Sequence, residues 1–392
     1  MLATTPSRIV DSLITQGPTH RADLARKLLV SRTAVSNAVD HLLERGLVSV
    51  APRGAGVTTL KDQILMTPRF GLIGAVVIDF DETLIGIGTL DGRLLGYHAL
   101  PGGPQMRGTE RILAAPASIS HLREQVGSDA PLLFTQLAVN TQAHRDTGEV
   151  LGGSASTAWM DTNPKQLLEE VLGCPVRLEN TARLLALAEQ QHRPAASDLV
   201  YVQLSYGVAM GQIVDGRILG GSRGGAGELG HTSIDLNGRP CSCAGRGCMM
   251  QYIGRHALIE DVERLLGRGA DVPDLILAGK KGDHEARALL AEFGRRVGEA
   301  LVGLCNLLEP STLVIGGCLS DAGETFLDPV RQGLRGRALP QTVDELSIET
   351  ATGSLVRDTV LRAALRCLRD DTSIRADVIH RSINPFRTRH LA

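Results

Sequence analysis

Gly224-Gly225-Ala226-Gly227-Glu228-Leu229-Gly230-His231, followed by Cys241-Ser242-Cys243-Ala244-Gly245-Arg246-Gly247-Cys248, is the stretch on which the reading of this chain turns. His231 precedes Cys241 by ten residues, and Cys243 and Cys248 complete the group. One imidazole and three thiolates are the usual donors of a closed tetrahedral zinc site. The glycines between them allow a short loop to fold tightly around an ion. Two other readings use the same residues: three reduced cysteines in a loop, or a disulfide. A site with four protein donors has no open position for a catalytic water, so a metal here is expected to be structural.

Around this stretch the pattern alternates between strands and helices. Residues 72–80, 83–90 and 93–100 read as short apolar strands, the last two joined at Asp91-Gly92. A helix is expected over 109–126 and a strand over 132–139, and a second, similar half opens near Asp198. The class is therefore α/β, with a β-β-β-α opening that looks like a two-lobed actin-like ATPase fold. The chain has 392 residues, 43% apolar and 21% charged, which suits a soluble protein of more than one domain. No apolar run is long enough to suggest a membrane span, no signal segment opens the chain, and the uncapped cysteines suggest a reducing cytoplasm. Cys174, Cys305, Cys318 and Cys367 lie among apolar neighbours and read as small core residues.

The first 66 residues are different. They carry 8 Lys/Arg and 5 Asp/Glu, whereas the whole chain has 41 and 43. A mildly basic head on an acidic body suits a DNA reader. A helix is expected over 7–15, broken by Gly17-Pro18; Thr19 can cap a second helix to Leu28. Ser31 caps a third through about Arg45, ended by Gly46, with Val35, Ala38, Val39 and Leu42 on one face. Arg32, Thr33, Ser36, Asn37 and Asp40 fall on the other side. Asn suits an adenine edge, Arg a guanine or phosphate, and Thr a thymine methyl. Residues 47–50 and 57–65 then read as two strands of a wing around the tip Arg53-Gly54-Ala55-Gly56, placing Arg53 and Lys61 for phosphate or minor-groove contact. The candidate base- and backbone-contacting set is Arg32, Thr33, Ser36, Asn37 and Arg53. A three-helix packing module with a solvated polar face is the alternative.

Four motifs in order resemble the ROK family of repressors, open reading frames and kinases. Leu178-Glu179-Asn180-Thr181-Ala182 is similar to its E-N-D-A segment, and Gly224 to His231 to its G-G-A-G-E-x-G-H. Cys241 to Cys248 is similar to C-x-C-G-x-x-G-C, and Leu313-Val314-Ile315-Gly316-Gly317 to the late V-I-G-G turn. The resemblance covers the whole chain, including the reader found in the repressor branch that handles xylose, N-acetylglucosamine and glucose regulons. It implies a winged helix-turn-helix over 1–66 and a sugar-kinase-like domain over 67–392, with lobes over roughly 67–195 and 196–370. It implies structural zinc on His231, Cys241, Cys243 and Cys248, a sugar-holding set retained at Asn180, Glu228 and His231, and a homodimer or tetramer on an inverted-repeat operator.

The resemblance also shows what this chain lacks. The family's base is the Asp after Asn; here it is Thr181, whose hydroxyl cannot act as a base near neutral pH. The first phosphate turn, D-x-G-G-T in the kinases, reads Asp79-Phe80-Asp81-Glu82-Thr83, and the second reads Ser205-Tyr206-Gly207-Val208-Ala209-Met210-Gly211. Side chains stand where bare backbone must approach phosphate. Met250 and Ser156 replace a Glu and an Asn of the sugar pocket, and Asn140-Thr141-Gln142 replaces a proline-glycine stretch. The expectation is a non-enzymatic regulator with no catalytic residues and no ATP, sensing a sugar-like molecule to repress carbohydrate genes. The rivals are an active ROK sugar kinase with an added DNA-binding head and a body that serves only as scaffold. The basic segment 374–392, with Arg375, Arg381, Arg387 and Arg389, fits either a docking tail or a frayed end.

Overall fold

Three helices and a two-stranded ribbon open the computed structural model, which describes residues 4–51, 62–103, 106–151, 159, 162–352, 356–366 and 372–383. Helix α1 (Thr5–Gln16) starts two residues earlier than its apolar spacing suggests, because the Thr4 hydroxyl accepts from Ser7 N and Pro6 sits in its first turn. Helix α2 (Arg21–Leu28) has His20 at its cap with no side-chain bond. Thr19 therefore does not cap it: its backbone bridges to Ile64 instead, with Ile64 N donating to Thr19 O at 2.8 Å. Helix α3 (Arg32–Glu44) is capped by Ser31, whose hydroxyl accepts from Ala34 N at 3.1 Å. Val35, Ala38, Val39 and Leu42 are buried, as the spacing predicts. Strands β1 (Val48–Val50) and β2 (Ile64–Met66) pair antiparallel, forming the base of the wing. The expected tip, with Arg53 and Lys61, lies outside the described residues.

The chain divides into two compact units, Met1–Ala138 with Thr162–Leu178 and Leu361–Ala392, and Val139–Asp161 with Glu179–Val360. The first unit contains the reader and a five-stranded sheet. Strands β3 (Leu72–Ile78), β4 (Glu82–Thr89) and β5 (Leu94–Pro101) are antiparallel neighbours. Strands β6 (Leu132–Val139) and β7 (Val176–Asn180) complete the order β5-β4-β3-β6-β7. All of β3 is buried, which explains its unbroken apolar run. The helix expected over 109–126 is two, Gly108–Leu113 and Ala115–Gln125. Pro116 causes the break, since it lacks an N–H and its ring crowds the carbonyl four residues back.

The reader is tied into this unit at both ends of the chain. Met66 N donates to Asp91 Oδ2 at 3.2 Å, and Arg93 reaches Met66 O. The described part of the basic segment, 374–383, belongs to a helix, Thr372–Ile383, while Arg387 and Arg389 lie outside the described residues. Its Arg375, only 9% exposed, donates to Asp11 of α1 at 2.6 Å, and Ile383 O accepts from Arg45 at 3.1 Å.

The second unit repeats the strand order of the first. Strands β8 (Leu199–Leu204), β9 (Val208–Val214), β10 (Arg217–Ile218), β11 (Thr312–Gly317) and β12 (Ser347–Thr350) run β10-β9-β8-β11-β12. Three antiparallel neighbours are followed by a parallel pair reached through helices. Helices His284–Ala300 and Glu324–Arg335 pack against each other through Phe293, Val297, Phe326 and Val330, each fully buried. Side chains of this kind contribute about 1.5–3 kcal/mol each when removed from water. Cys174 and Cys305 are buried as expected, Cys318 is half-exposed, and Cys367 lies outside the described residues.

Candidate functional site

Three places bear on function, beginning with the exposed side of α3. Arg32, Thr33 and Asn37 are exposed, whereas Ser36 is half-buried and its carbonyl accepts from Arg21 at 3.3 Å. The same arginine pairs with Asp40 at 2.8 Å. Arg21 thus fixes α2 against α3 and neutralises Asp40, leaving a surface of Arg, Thr and Asn beside the helix N-terminus. A helix N-terminus favours phosphate.

The second place is the cysteine loop. The ligand atoms of His231, Cys241, Cys243 and Cys248 all lie within 4.8 Å of one another. Cys243 and Cys248 sulfurs are 3.6 Å apart, as are Cys241 Sγ and His231 Nδ1. Zinc–sulfur bonds of about 2.3 Å set a tetrahedral edge of about 3.7 Å, so the four atoms stand at the spacing of a single shell. They are not a disulfide, which needs sulfurs about 2.05 Å apart. Gly247, at φ +67°, makes this closure possible, because a Cβ there would lie 1.6 Å from Asp235 O. Burial penalises the Cys241 thiolate, but hydrogen bonds from Cys243 N–H, Gln251 and the neighbouring thiols outweigh it and lower its pKa to about 6. Burial and the adjacent sulfurs push Cys248 up to about 12. By themselves these residues favour one thiolate; three thiolates together call for a cation. The donor set fits zinc.

The third place is where strand β7 gives way to helix Thr181–His192. Asn180 is the N-cap of that helix: its Oδ1 accepts from Ala182 N at 2.9 Å. Half of its amide is therefore committed to the backbone, and Nδ2 is the part available to a ligand. Thr181, the expected base position, is 3% exposed. Glu228 is half-buried, and burial raises its pKa despite the opposing charges of His231 and Arg183. Gly227 holds the loop before it against β9: at φ +100°, a Cβ there would meet Met210 O at 2.1 Å. Met250, in place of the family's Glu, packs on the apolar core.

Arg183 joins these parts, and the sequence reading did not single it out. Its Nε donates to Glu179 Oε1 at 2.6 Å with both side chains almost fully buried. Its Nη2 donates to Gly224 O at 2.7 Å and its Nη1 to Ala226 O. The residue beside Asn180 and the loop that carries Glu228 are thus held by one guanidinium. Arg145 Nη2 stands 3.8 Å from Glu179 Oε2.

Side chains of the chain itself pack beside both phosphate turns. In the first, Asp79 N donates to Glu82 O at 3.0 Å, closing a tight hairpin. Arg111, 5% exposed, donates to Thr83 Oγ1 at 2.6 Å and to the carbonyls of Asp79 and Glu82. Burial raises the Asp79 pKa, with Arg111 opposing, and lowers that of Arg111. In the second turn, Ser205 N donates to Gly207 O at 3.0 Å. The Arg255 guanidinium lies 4.5 Å from the centre of the Tyr206 ring and pairs with Asp271. Ser156 of the sugar pocket lies outside the described residues.

The ROK family profile matches residues 136–354, and the MarR family profile residues 3–56. A xylose repressor of Caldicellulosiruptor bescii is 24% identical over 349 residues, covering 84% of this chain and 87% of its own length. A glucokinase of Halalkalibacterium halodurans is 32% identical over 224 residues, 53% of this chain and 68% of the enzyme. A solved ROK family transcriptional regulator, described as a homologue of the E. coli MLC protein, superposes with TM-score 0.70 at 18% identity, over 96% of this chain and 98% of the other. A ROK family glucokinase from Streptomyces griseus gives 0.64 at 24% identity, over 75% of this chain and 98% of its own. At 96% of this chain, the superposition on the solved regulator takes in the reader as well as the body.

Proposed function

Because the chain belongs to the ROK family, we propose that it is a DNA-binding repressor of carbohydrate-related genes whose kinase-like body senses a sugar or sugar derivative without phosphorylating it. One observation carries this reading: a winged reader precedes a body in which the base position is the buried Thr181. The two phosphate turns support it. A nucleotide needs bare N–H groups at those turns; here Arg111 and Tyr206 with Arg255 occupy the neighbouring space. Neither ATP binding nor phosphotransfer is expected.

In this reading residues 1–66 recognise the operator and residues 67–392 form the effector and dimerisation domain, with lobes over roughly 67–195 and 196–370. Arg32, Thr33, Ser36, Asn37 and Arg53 make the DNA contacts, Ser36 least directly because it is half-buried. A two-fold dimer presents two α3 helices to successive turns of one duplex face, so the operator is an inverted repeat. Zinc on His231, Cys241, Cys243 and Cys248 supplies a fixed point for the loop that holds Glu228. Asn180 Nδ2, Glu228 and His231 face the effector, with Glu228 accepting from a pair of neighbouring hydroxyls.

A small molecule shifts DNA affinity only by its preference for one state of the protein, typically about 1–3 kcal/mol. The experiment is titration of the duplex upstream of the protein's own gene, with and without a panel of pentoses, hexoses and N-acetylated amino sugars. One compound should release the duplex from wild type and fail with Glu228→Ala, which still binds DNA when no sugar is present. Equal affinity for that duplex and for random DNA at physiological salt defeats the reading.

A further inference from the structure

The turn between α2 and α3 contains a residue that fits its own fold poorly. Leu29 adopts φ 52°, ψ 46°, the left-handed region that any residue with a Cβ enters at a cost. Its side chain is 91% exposed, the highest value among the exposed large apolar residues described. The backbone around it is fixed: the Leu29 N–H bonds to Ala25 O, Val30 N donates to Ala25 O at 3.2 Å, and Arg8 reaches from α1 to hold Leu28 O. A glycine would meet the geometry without strain. An asparagine would tolerate it and suit the solvent. A leucine does neither, and at 91% exposed its side chain gains almost no burial against the described residues to offset the two penalties. Strain kept at an exposed position points to a partner outside the molecule.

Leu29 stands two residues before the Ser31 cap and three before Arg32, at the start of the exposed Arg32, Thr33 and Asn37 face. We infer that Leu29 is a DNA-contacting residue, placed by its left-handed backbone to lay an apolar side chain on the duplex beside the first bases read by α3. Two apolar groups are available on DNA: the 5-methyl of thymine, and the deoxyribose edge. A thymine methyl contact carries sequence information; a sugar contact adds affinity and positions α3. This inference rests on the proposal that residues 1–66 bind DNA, and the test separates the two.

The probe is the duplex enriched from a random pool by the full wild-type chain, measured by fluorescence anisotropy beside a scrambled duplex of the same composition. If wild type enriches nothing over the scrambled control, the DNA-binding proposal itself fails, and this inference with it. Given a selected duplex, Leu29→Gly should keep or raise the melting temperature and lower affinity for that duplex about tenfold; the scrambled duplex should stay almost unchanged if a thymine methyl is touched, and lose affinity in step if the contact is the deoxyribose. Leu29→Asn should behave the same way, and Leu29→Met should recover most of the binding. Replacing each thymine of the half-site by uracil then identifies the group touched. If one uracil reproduces the loss in wild type and adds nothing in Leu29→Gly, the methyl is the contact. If none does, the loss reports the deoxyribose. Unchanged affinity of Leu29→Gly for the selected duplex overturns the inference. So does a drop in melting temperature with equal losses on both duplexes, or a loss of dimer without a loss of DNA binding.

Discussion

Replacing Arg183 by methionine tests how the candidate effector site is held together. Methionine matches the apolar length of the side chain and removes three donated bonds, to Glu179, Gly224 and Ala226. The Glu179 side chain is 5% exposed, so its charge cannot be rehydrated in place. Breaking a buried pair by removing one partner typically costs about 3–5 kcal/mol. Arg145, already 3.8 Å from the other carboxylate oxygen, relieves part of this, and Asn180 N still donates to Oε1 at 2.9 Å. The expected loss is therefore near the low end, about 3 kcal/mol, with both loop carbonyls left without their donor. Chemical denaturation followed by circular dichroism gives the value as the shift in midpoint multiplied by the slope. Pairing the change with Glu179→Gln removes the stranded charge and should restore about half of the loss. If Arg183→Met alone stays within about 1 kcal/mol of wild type, the guanidinium does not organise this site and the reasoning is wrong.

Three further outcomes are expected. Cys243→Ala should abolish stoichiometric zinc in elemental analysis and lower the melting temperature, because three donors leave the loop open; a zinc-free protein that melts like wild type would refute the site. Phosphorylation of hexoses in a coupled assay should not rise above the enzyme-free rate, and Thr181→Asp alone should not restore it while Asp81 and Glu82 stand in the first phosphate turn where the kinases carry glycines. Arg111→Met should destabilise the protein by about 2–4 kcal/mol by leaving Thr83, Asp79 and Glu82 acceptors buried, and a neutral result by calorimetry would show that the turn holds without its staple.

The features legible in the sequence were local ones. Helix α3 could be read because its cap, its stop and its apolar face lie within sixteen residues, from Ser31 to Gly46. The metal donors could be read because they fall within one short glycine-rich loop. The interactions that organise the sites join distant residues. Arg183 meets Gly224 and Ala226 from more than forty positions away, and Arg111 meets Asp79 from 32. The pairing of Arg183 with Glu179, four residues back, is local, but nothing near either arginine foretells the distant carbonyls that it holds. Asn180 shows the reverse limit: its type and place were legible, yet half of its amide serves a helix cap that the motif does not distinguish from ligand binding. Thr19 was a fair cap by composition, but its backbone was needed to pair with the wing.

The brace between Arg375 and Asp11 joins residues 364 positions apart in the chain. A ribosome adds roughly 5–20 residues each second, so α1 emerges roughly 20–70 seconds before the arginine that will hold it. During that interval the nascent reader folds without its last helix. Its contact with the helix Thr372–Ile383 forms only after every residue between them, the whole kinase-like body included, has been made.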